Sequence, residues 1–354
     1  MRPGLLRNSA RVLFAIVFAS MILSKLYFTE NSFYARLDFV AKSLFYSSRF
    51  HLAFVGIAVI AYFIPQIKLP RITPAKSLFI NIVLLFFYIL TLYSLIMTQG
   101  LREDYFTDQN SPLKRDLLQE ATDRDRFIAH STGYPDGVPY TNSLEGLEYS
   151  NSAGFKYFEV DTQKTSDGHW VGMHDWEDWA QDTKYAGTIP PTFADFKSHK
   201  INGRFTPLDI ETIRSWFLAH PDKRLITDKV NEPVEYAKSF PEKNRYAMEL
   251  FDEDSLTEAR KNDIDALISW SVFKDMPPYD SISQLKELKV DKIAMSRLQI
   301  KGRKRFLLQA RNAGIKVYLF NIEDIHKSFC EEMGYAYGMY IGTWNFNQPD
   351  INCH

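Results

Sequence analysis

The chain is organised around residues 127–176, FIAHSTGYPDGVPYTNSLEGLEYSNSAGFKYFEVDTQKTSDGHWVGMHDW. An apolar run at residues 127–129 leads to His130, and another at residues 170–173 leads to His174. Short apolar runs bounded by turn residues are typical of buried strands, so we expect each histidine at the end of a strand. Histidines in such positions can exchange protons with a substrate near neutral pH.

Two carboxylates lie between these histidines, in and directly after a third apolar run at residues 157–160. Glu159 and Asp161 are two residues apart, so they point to the same face of a strand. Exposed carboxylates on an edge strand are one interpretation. The aromatic neighbours favour a buried strand instead, where unpaired carboxylates are costly. A bound cation removes that cost, and an all-oxygen ligand set favours Mg²⁺ or Ca²⁺.

Other residues of this stretch extend the pattern. The ordered set is Ile128, Ala129, His130, Asn142, Ser143, Leu144, Glu159, Val160, Asp161, Thr165, Asp167, Gly168, Val171, His174 and Asp175. In order and spacing, this set resembles the first half of the glycerophosphodiester phosphodiesterase family. The resemblance implies a barrel enzyme that hydrolyses phosphodiesters, with His130 and His174 exchanging protons. It also implies that Glu159 and Asp161 hold a divalent metal ion.

Two positions depart from the family pattern. The family has an arginine after its first histidine, a phosphate contact, where this chain has Ser131. It has a glutamate before the asparagine where this chain has Thr141. We keep Ser131 as a predicted substrate-binding residue because of its position, and the loss of the arginine leaves the substrate open.

The family's third metal ligand is a glutamate in an E-x-K signature on the third barrel strand. Residues 225–229 read LITDK here, so Lys229 matches but Thr227 stands at the glutamate position. Asp228 is one residue further on, and such a shift turns a side chain to the opposite face unless a bulge or the strand's end brings it back. We predict Asp228 as the third ligand and Lys229 as the group that neutralises the phosphate.

Apolar runs alternate with helix-like stretches through the rest of the chain. The predicted strands are residues 127–129, 157–160, 225–227, 246–251, 266–270, 292–295, 317–321 and 338–341. The predicted amphipathic helices include residues 210–219, 255–262, 282–288 and 303–313. This alternation predicts an α/β fold, a (β/α)8 TIM barrel over residues 126–354 with its chemistry at the C-terminal strand ends. Residues 176–205 lack the alternation and resemble the family's insertion after its second histidine.

The chain upstream of the barrel is predicted as an all-α transmembrane anchor, residues 1–100, of about three helices. Its apolar segments are residues 12–28, 50–67 and 77–97, the first being an uncleaved helix or a signal peptide. The cations before the first segment and between the last two are Arg2, Arg7, Arg11, Lys68, Arg71 and Lys76. The positive-inside rule then predicts an extracytoplasmic barrel, periplasmic or at the cell surface. Residues 101–125 are a predicted linker, either a tether or a solvated helix.

Charge composition and cysteine content bear on the partners and the cellular compartment of the protein. The chain has 43 acidic and 42 basic residues, so no overall field indicates a nucleic-acid partner. Its two cysteines, Cys330 and Cys353, form either free thiols or a disulfide, which an oxidising compartment would favour.

The first functional hypothesis is a membrane-anchored, metal-dependent phosphodiester hydrolase acting on a glycerophosphodiester or a related envelope lipid or polymer. Two alternatives stay open. One is a catalytically inactive barrel that binds a lipid head group or polysaccharide. The other is a phospholipase D-like enzyme that cyclises the head group. Retention of both histidines and both metal-type carboxylates favours an enzyme, since a binding module has no need of all four.

Overall fold

The computed structural model describes Thr107 and residues 115–272 and 278–353. All three predicted membrane segments, between residues 12 and 97, fall outside this described part. Within it, no helix combines the length and the apolarity needed to cross a bilayer.

Eight parallel strands in the described part of the chain form a closed barrel. The strands, with one antiparallel addition (β3), are β1 Phe127–Ala129, β2 Tyr157–Lys164, β3 Trp170–Gly172, β4 Arg224–Asp228, β5 Tyr246–Leu250, β6 Ala266–Ser269, β7 Lys292–Ser296, β8 Lys316–Phe320 and β9 Gly338–Ile341. Around the barrel the order is β1-β2-β4-β5-β6-β7-β8-β9, and the pairing of β9 with β1 closes it. The predicted (β/α)8 barrel is confirmed.

Helices connect the strands. They are α1 Leu117–Thr122, α2 Leu144–Ala153, α3 Trp176–Thr183, α4 Phe193–Ser198, α5 Ile210–Ala219, α6 Pro233–Ser239, α7 Glu253–Lys261, α8 Pro278–Glu287, α9 Lys304–Asn312 and α10 Ile325–Glu331. Side-chain caps define several starts. Asp209 precedes α5 and accepts a hydrogen bond from the Thr212 amide at 2.7 Å. Such a cap satisfies an amide that the first helical turn leaves unpaired.

All eight predicted barrel strands are present, and β1 and β9 have the predicted bounds. Helix α5 also occupies its predicted residues, whereas α7 begins two residues earlier than the apolar pattern indicates. The reason for the earlier start is a cap, since Asp252 accepts a hydrogen bond from the Ser255 amide at 2.7 Å.

Side chains of each strand divide between the barrel interior and the outer shell. The interior cluster is Ile128, Ile226, Ala247, Leu267, Ala294, Tyr318 and Tyr340. On β2, Phe158 and Val160 belong to the outer cluster, and the Phe158 ring lies 5.1 Å from Trp216 of α5. Because strand residues alternate, Glu159 and Asp161 point into the barrel.

The run before His174 forms a hairpin strand outside the barrel. β3 pairs antiparallel with the end of β2, with Thr162 opposite Gly172. Helices α3 and α4 follow in the predicted insertion and share their own aromatic cluster, in which Trp179 and Phe196 stack at 5.6 Å. This hairpin carries the chain past the end of β2 before it reaches His174.

Helix α1 lies inside the predicted linker and packs on the barrel. Trp344 donates a hydrogen bond from Nε1 to Ala121 O at 2.8 Å, and Arg115 donates to Cys330 O at 2.8 Å. Residues 117–122 form a helix, and its residues Glu120 and Ala121 are buried, so it is packed and not solvated. Cys330 and Cys353 form a disulfide, which ties α10 to the C-terminal tail.

Candidate active site

His130 lies directly after β1, at the C-terminal end of the barrel strands. The chain turns sharply there, since Ser131 and Thr132 have left-handed backbones with φ of 48° and 71°. Such conformations persist in residues other than glycine only where surrounding contacts hold them. One contact is visible, because the Ser150 hydroxyl donates to Thr132 O at 2.7 Å. The turn keeps His130 at the mouth of the barrel.

Three carboxylates meet at the same end of the barrel. β2 and β4 pair in parallel with Asp161 opposite Asp228, so these side chains share the inward face. One oxygen atom from each of Glu159, Asp161 and Asp228 lies within 4.8 Å of the others. Thr227, at the family's glutamate position, is fully buried and belongs to the outward face. The structure therefore brings the three predicted metal ligands together.

The carboxylates fit a divalent cation. Burial and the charge of Asp161 raise the pKa of Glu159. The same two causes raise the pKa of Asp228 to about 7. Glu159 Oε1 has no hydrogen-bond partner among the described residues, although buried carboxylate oxygens normally have one. A hard cation such as Mg²⁺ or Ca²⁺ would satisfy this oxygen and offset the mutual repulsion.

Hydrogen bonds from the loop after β1 hold two of these carboxylates. The Ser131 amide donates to Glu159 Oε2 at 2.6 Å, and the Ser131 hydroxyl donates to Asp161 Oδ2 at 2.9 Å. Asn142 also donates from Nδ2 to Asp161 Oδ2 at 2.8 Å and accepts from the Asp161 amide at 3.0 Å. Ser131, predicted as a substrate contact, thus bonds the carboxylates and is fully buried.

The rings of the two predicted catalytic histidines lie near a common tyrosine. The centroid of Tyr140 is 5.1 Å from that of His130 and 5.2 Å from that of His174. Tyr140 is 40% exposed and has a left-handed backbone, with φ of 57°. The sequence pattern did not single out Tyr140, because it lies in a turn-rich loop without an apolar period.

The surroundings of His130 keep its imidazole neutral. Burial lowers the pKa of His130 to about 4 against the attraction of Asp161, and the charges of His174 and Lys229 lower it as well. His130 is therefore neutral at pH 7. Lys229, exposed at the end of β4, also acts on Asp228, which places its ammonium group within electrostatic reach of the carboxylates.

One further carboxylate lies near the end of the neighbouring strand. Glu249 of β5 is buried and accepts a hydrogen bond from the Tyr340 hydroxyl at 3.2 Å. Burial and the charge of Asp228 raise the pKa of Glu249. The Tyr340 ring lies 6.0 Å from that of His130. A glutamate at a strand end has no motif of its own, so only closure of the barrel shows that Glu249 neighbours the site.

No family model matches this chain, and no curated protein matches it significantly. Several solved structures are similar. A glycerophosphodiester phosphodiesterase from Parabacteroides distasonis is 18% identical, with 61% of this chain and 92% of that chain covered and a TM-score of 0.49. A glycerophosphodiester phosphodiesterase from Thermotoga maritima is 18% identical, with 61% of this chain and 93% of that chain covered and a TM-score of 0.49. An Oleispira antarctica phosphodiesterase, solved in complex with the product sn-glycerol-3-phosphate, is 21% identical. The match covers 61% of this chain and 92% of that chain, with a TM-score of 0.47.

Proposed function

We propose that this protein is a membrane-anchored, metal-dependent phosphodiester hydrolase. The observation that supports the proposal most is the meeting of two histidines with an inward-facing carboxylate cluster at the C-terminal mouth of the barrel. That mouth is where (β/α)8 enzymes place their chemistry. A purely structural role would leave unexplained why Glu159 Oε1 is buried without a partner among the described residues.

The carboxylates and the lysine prepare the site for a phosphate. Glu159, Asp161 and Asp228 would hold the divalent cation, which supplies positive charge to the phosphoryl oxygens when bound. Lys229 adds an ammonium group on the same side and offsets charge that grows on the phosphate during the reaction.

The two histidines then divide the proton transfers. His130, neutral at pH 7, accepts the proton of the water or neighbouring hydroxyl that attacks phosphorus. His174 donates a proton to the oxygen of the departing alcohol. With water as the nucleophile, the products are a phosphate monoester and an alcohol. With a hydroxyl of the substrate itself, the first product is a cyclic phosphate.

The substrate is a glycerophosphodiester or a related envelope lipid or polymer diester. The motif set from Ile128 to Asp175 supports the diester, and the absence of the family's arginine at Ser131 favours a substrate other than the family's smallest ones.

The proposed location of the barrel is the extracytoplasmic side of the membrane. Two independent features support this location, namely the basic residues beside the predicted membrane segments and the disulfide between Cys330 and Cys353. A reporter that is active only outside the cytoplasm should be active when fused after Gly100 and silent when fused within residues 69–75. The reverse pattern would overturn the location without touching the chemistry.

The activity is tested with the purified full-length chain and a panel of glycerophosphodiesters, phospholipids and polymer diesters. Turnover of at least one diester should require Mg²⁺ or Ca²⁺ and should stop with EDTA. A cyclic phosphate among the products would identify the head-group-cyclising reaction. Binding of a diester without any metal-dependent turnover would favour the inactive binding module instead.

A further inference from the structure

We infer that Ser131 is a positioning residue that holds the two β2 carboxylates in place for the cation, and that it makes no contact with the phosphate. The inference rests on the proposed function only in so far as the cation belongs to that site. It concerns the one position where this chain departs most clearly from the family pattern.

Both hydrogen-bond donors of Ser131 are used within the cluster. The amide donates to Glu159 Oε2 at 2.6 Å, and the hydroxyl donates to Asp161 Oδ2 at 2.9 Å. Hydrogen bonds to ionised carboxylates are short and strong, so this residue fixes one oxygen of each. The fixed pair leaves Glu159 Oε1 available to a cation, since it has no other partner in the described part of the chain.

The backbone of Ser131 makes this double contact possible. With φ of 48°, the residue adopts a left-handed conformation immediately after β1 and directs its amide and its hydroxyl toward β2. Such a conformation is unfavourable for most residues other than glycine, asparagine and aspartate. The contacts to Glu159 and Asp161 hold the residue in this conformation.

Burial excludes the role that the sequence position suggested. Ser131 is fully buried, and its hydroxyl is already engaged, so no group remains to meet a substrate oxygen. An arginine at this position would lack the hydroxyl that donates to Asp161. The positive charges that offset the charge of the phosphate thus come from the metal ion and Lys229.

Metal binding provides a test that does not depend on turnover. Calorimetric titration of the purified full-length protein with Mg²⁺ alone and Ca²⁺ alone is compared for the wild type, Ser131→Ala, Ser131→Asn and Ser131→Arg. Ser131→Ala should weaken the affinity on the order of 10- to 100-fold, as for other groups that orient metal ligands. Ser131→Asn should restore much of it, since asparagine tolerates the left-handed backbone and its amide can donate to Asp161.

A matched control separates positioning from general damage to the loop. Ser150→Ala removes a buried serine hydroxyl that bonds the same loop, at Thr132 O, but touches neither carboxylate. This variant should lower the melting temperature and weaken metal affinity much less than Ser131→Ala does. An equal loss of affinity in Ser150→Ala and Ser131→Ala would overturn the inference.

Kinetics distinguish the remaining outcomes. A Ser131→Ala variant with unchanged metal affinity and a raised KM would show that Ser131 contacts the substrate and would overturn the inference. Gain of affinity or activity in Ser131→Arg would do the same. A wild type that binds no metal would overturn both this inference and the proposed function. A wild type that binds metal, loses affinity in Ser131→Ala and hydrolyses no diester would overturn the proposed function alone.

Discussion

Asp161 and Asp228 lie opposite each other in the parallel pairing of β2 with β4. Neighbouring strands in a parallel sheet keep side chains of paired residues on the same face, so both carboxylates point into the barrel. Thr227 is paired with Val160 and shares the outward face. Register thus decides which side chain of β4 joins the carboxylate cluster, and Thr227, at the glutamate position of the family pattern, lies on the opposite face.

The register predicts opposite results for two adjacent substitutions. Asp228→Asn should weaken Mg²⁺ or Ca²⁺ binding and abolish most turnover, because it removes an anionic ligand. Thr227→Val should leave metal binding unchanged, since the Thr227 hydroxyl is buried without a partner in the described residues and valine has the same shape. Calorimetry measures both affinities. Loss of affinity in Thr227→Val and not in Asp228→Asn would contradict the register.

Stability without metal should fall as pH rises. The pKa of Asp228 is about 7 in the folded protein, whereas an unfolded aspartate titrates near about 3.9. Between these values the folded state holds a proton that the unfolded state lacks, so the free energy of unfolding declines with pH. In EDTA, the melting temperature should be lower at about pH 8 than at about pH 5.5, and added metal should raise it most at the higher pH. Asp228→Asn should reduce the slope without abolishing it, because burial also raises the pKa of Glu159 and Glu249. An unchanged slope in that variant would exclude Asp228 as a source.

The two histidines should behave as one catalytic unit. His130→Ala and His174→Ala should each lower kcat on the order of 10²- to 10⁴-fold, with substrate binding much less affected. The double variant should lose little more than either single one, because residues that act together are not additive. Steady-state kinetics on the best diester of the panel measures all three. Independent, multiplying losses would argue that the histidines serve separate steps.

Tyr140 should support the histidines through its ring and not through its hydroxyl. Tyr140→Phe keeps the ring contacts with His130 and His174, so its kcat should stay near the wild-type value. Tyr140→Ala removes them and should lower kcat on the order of tenfold through misplaced imidazoles. Tyr149→Ala is the control, because that tyrosine bonds Thr343 and contacts neither histidine in the described structure. A large loss in Tyr140→Phe would instead indicate a direct role for the hydroxyl.

The disulfide should contribute to stability. Cys330 and Cys353 are 23 residues apart, and the segment between them contains β9, which closes the barrel. Chain entropy predicts that opening a loop of this length costs about 3 kcal/mol. Cys353→Ser should therefore lower the free energy of unfolding in denaturant titrations by about this amount. Dithiothreitol should bring the wild type to the level of the variant, and equal stabilities without reductant would mean that the bridge contributes nothing.

The sequence by itself determined the barrel and most of its chemical groups. Strand periodicity is a local property, since alternation and apolar runs follow from which residues a strand must bury. All eight barrel strands were therefore predictable. That Glu159 and Asp161 share one face of their strand was predictable as well. The two histidines were recognisable for the same reason, because each follows a short apolar run.

Only the tertiary structure decided which groups meet across strands and loops. The sequence predicted Asp228 without deciding its face. The register of β2 against β4 decides it, since Asp228 lies opposite Asp161 and Thr227 lies opposite Val160. The sequence position of Ser131 predicts a phosphate contact, but the left-handed turn after β1 directs this residue toward the carboxylates. Tyr140 contacts both histidines from a loop. The path of that loop depends on tertiary contacts and not on an apolar period. Contacts between distant segments arise only when the barrel closes, which is why local pattern could not predict them.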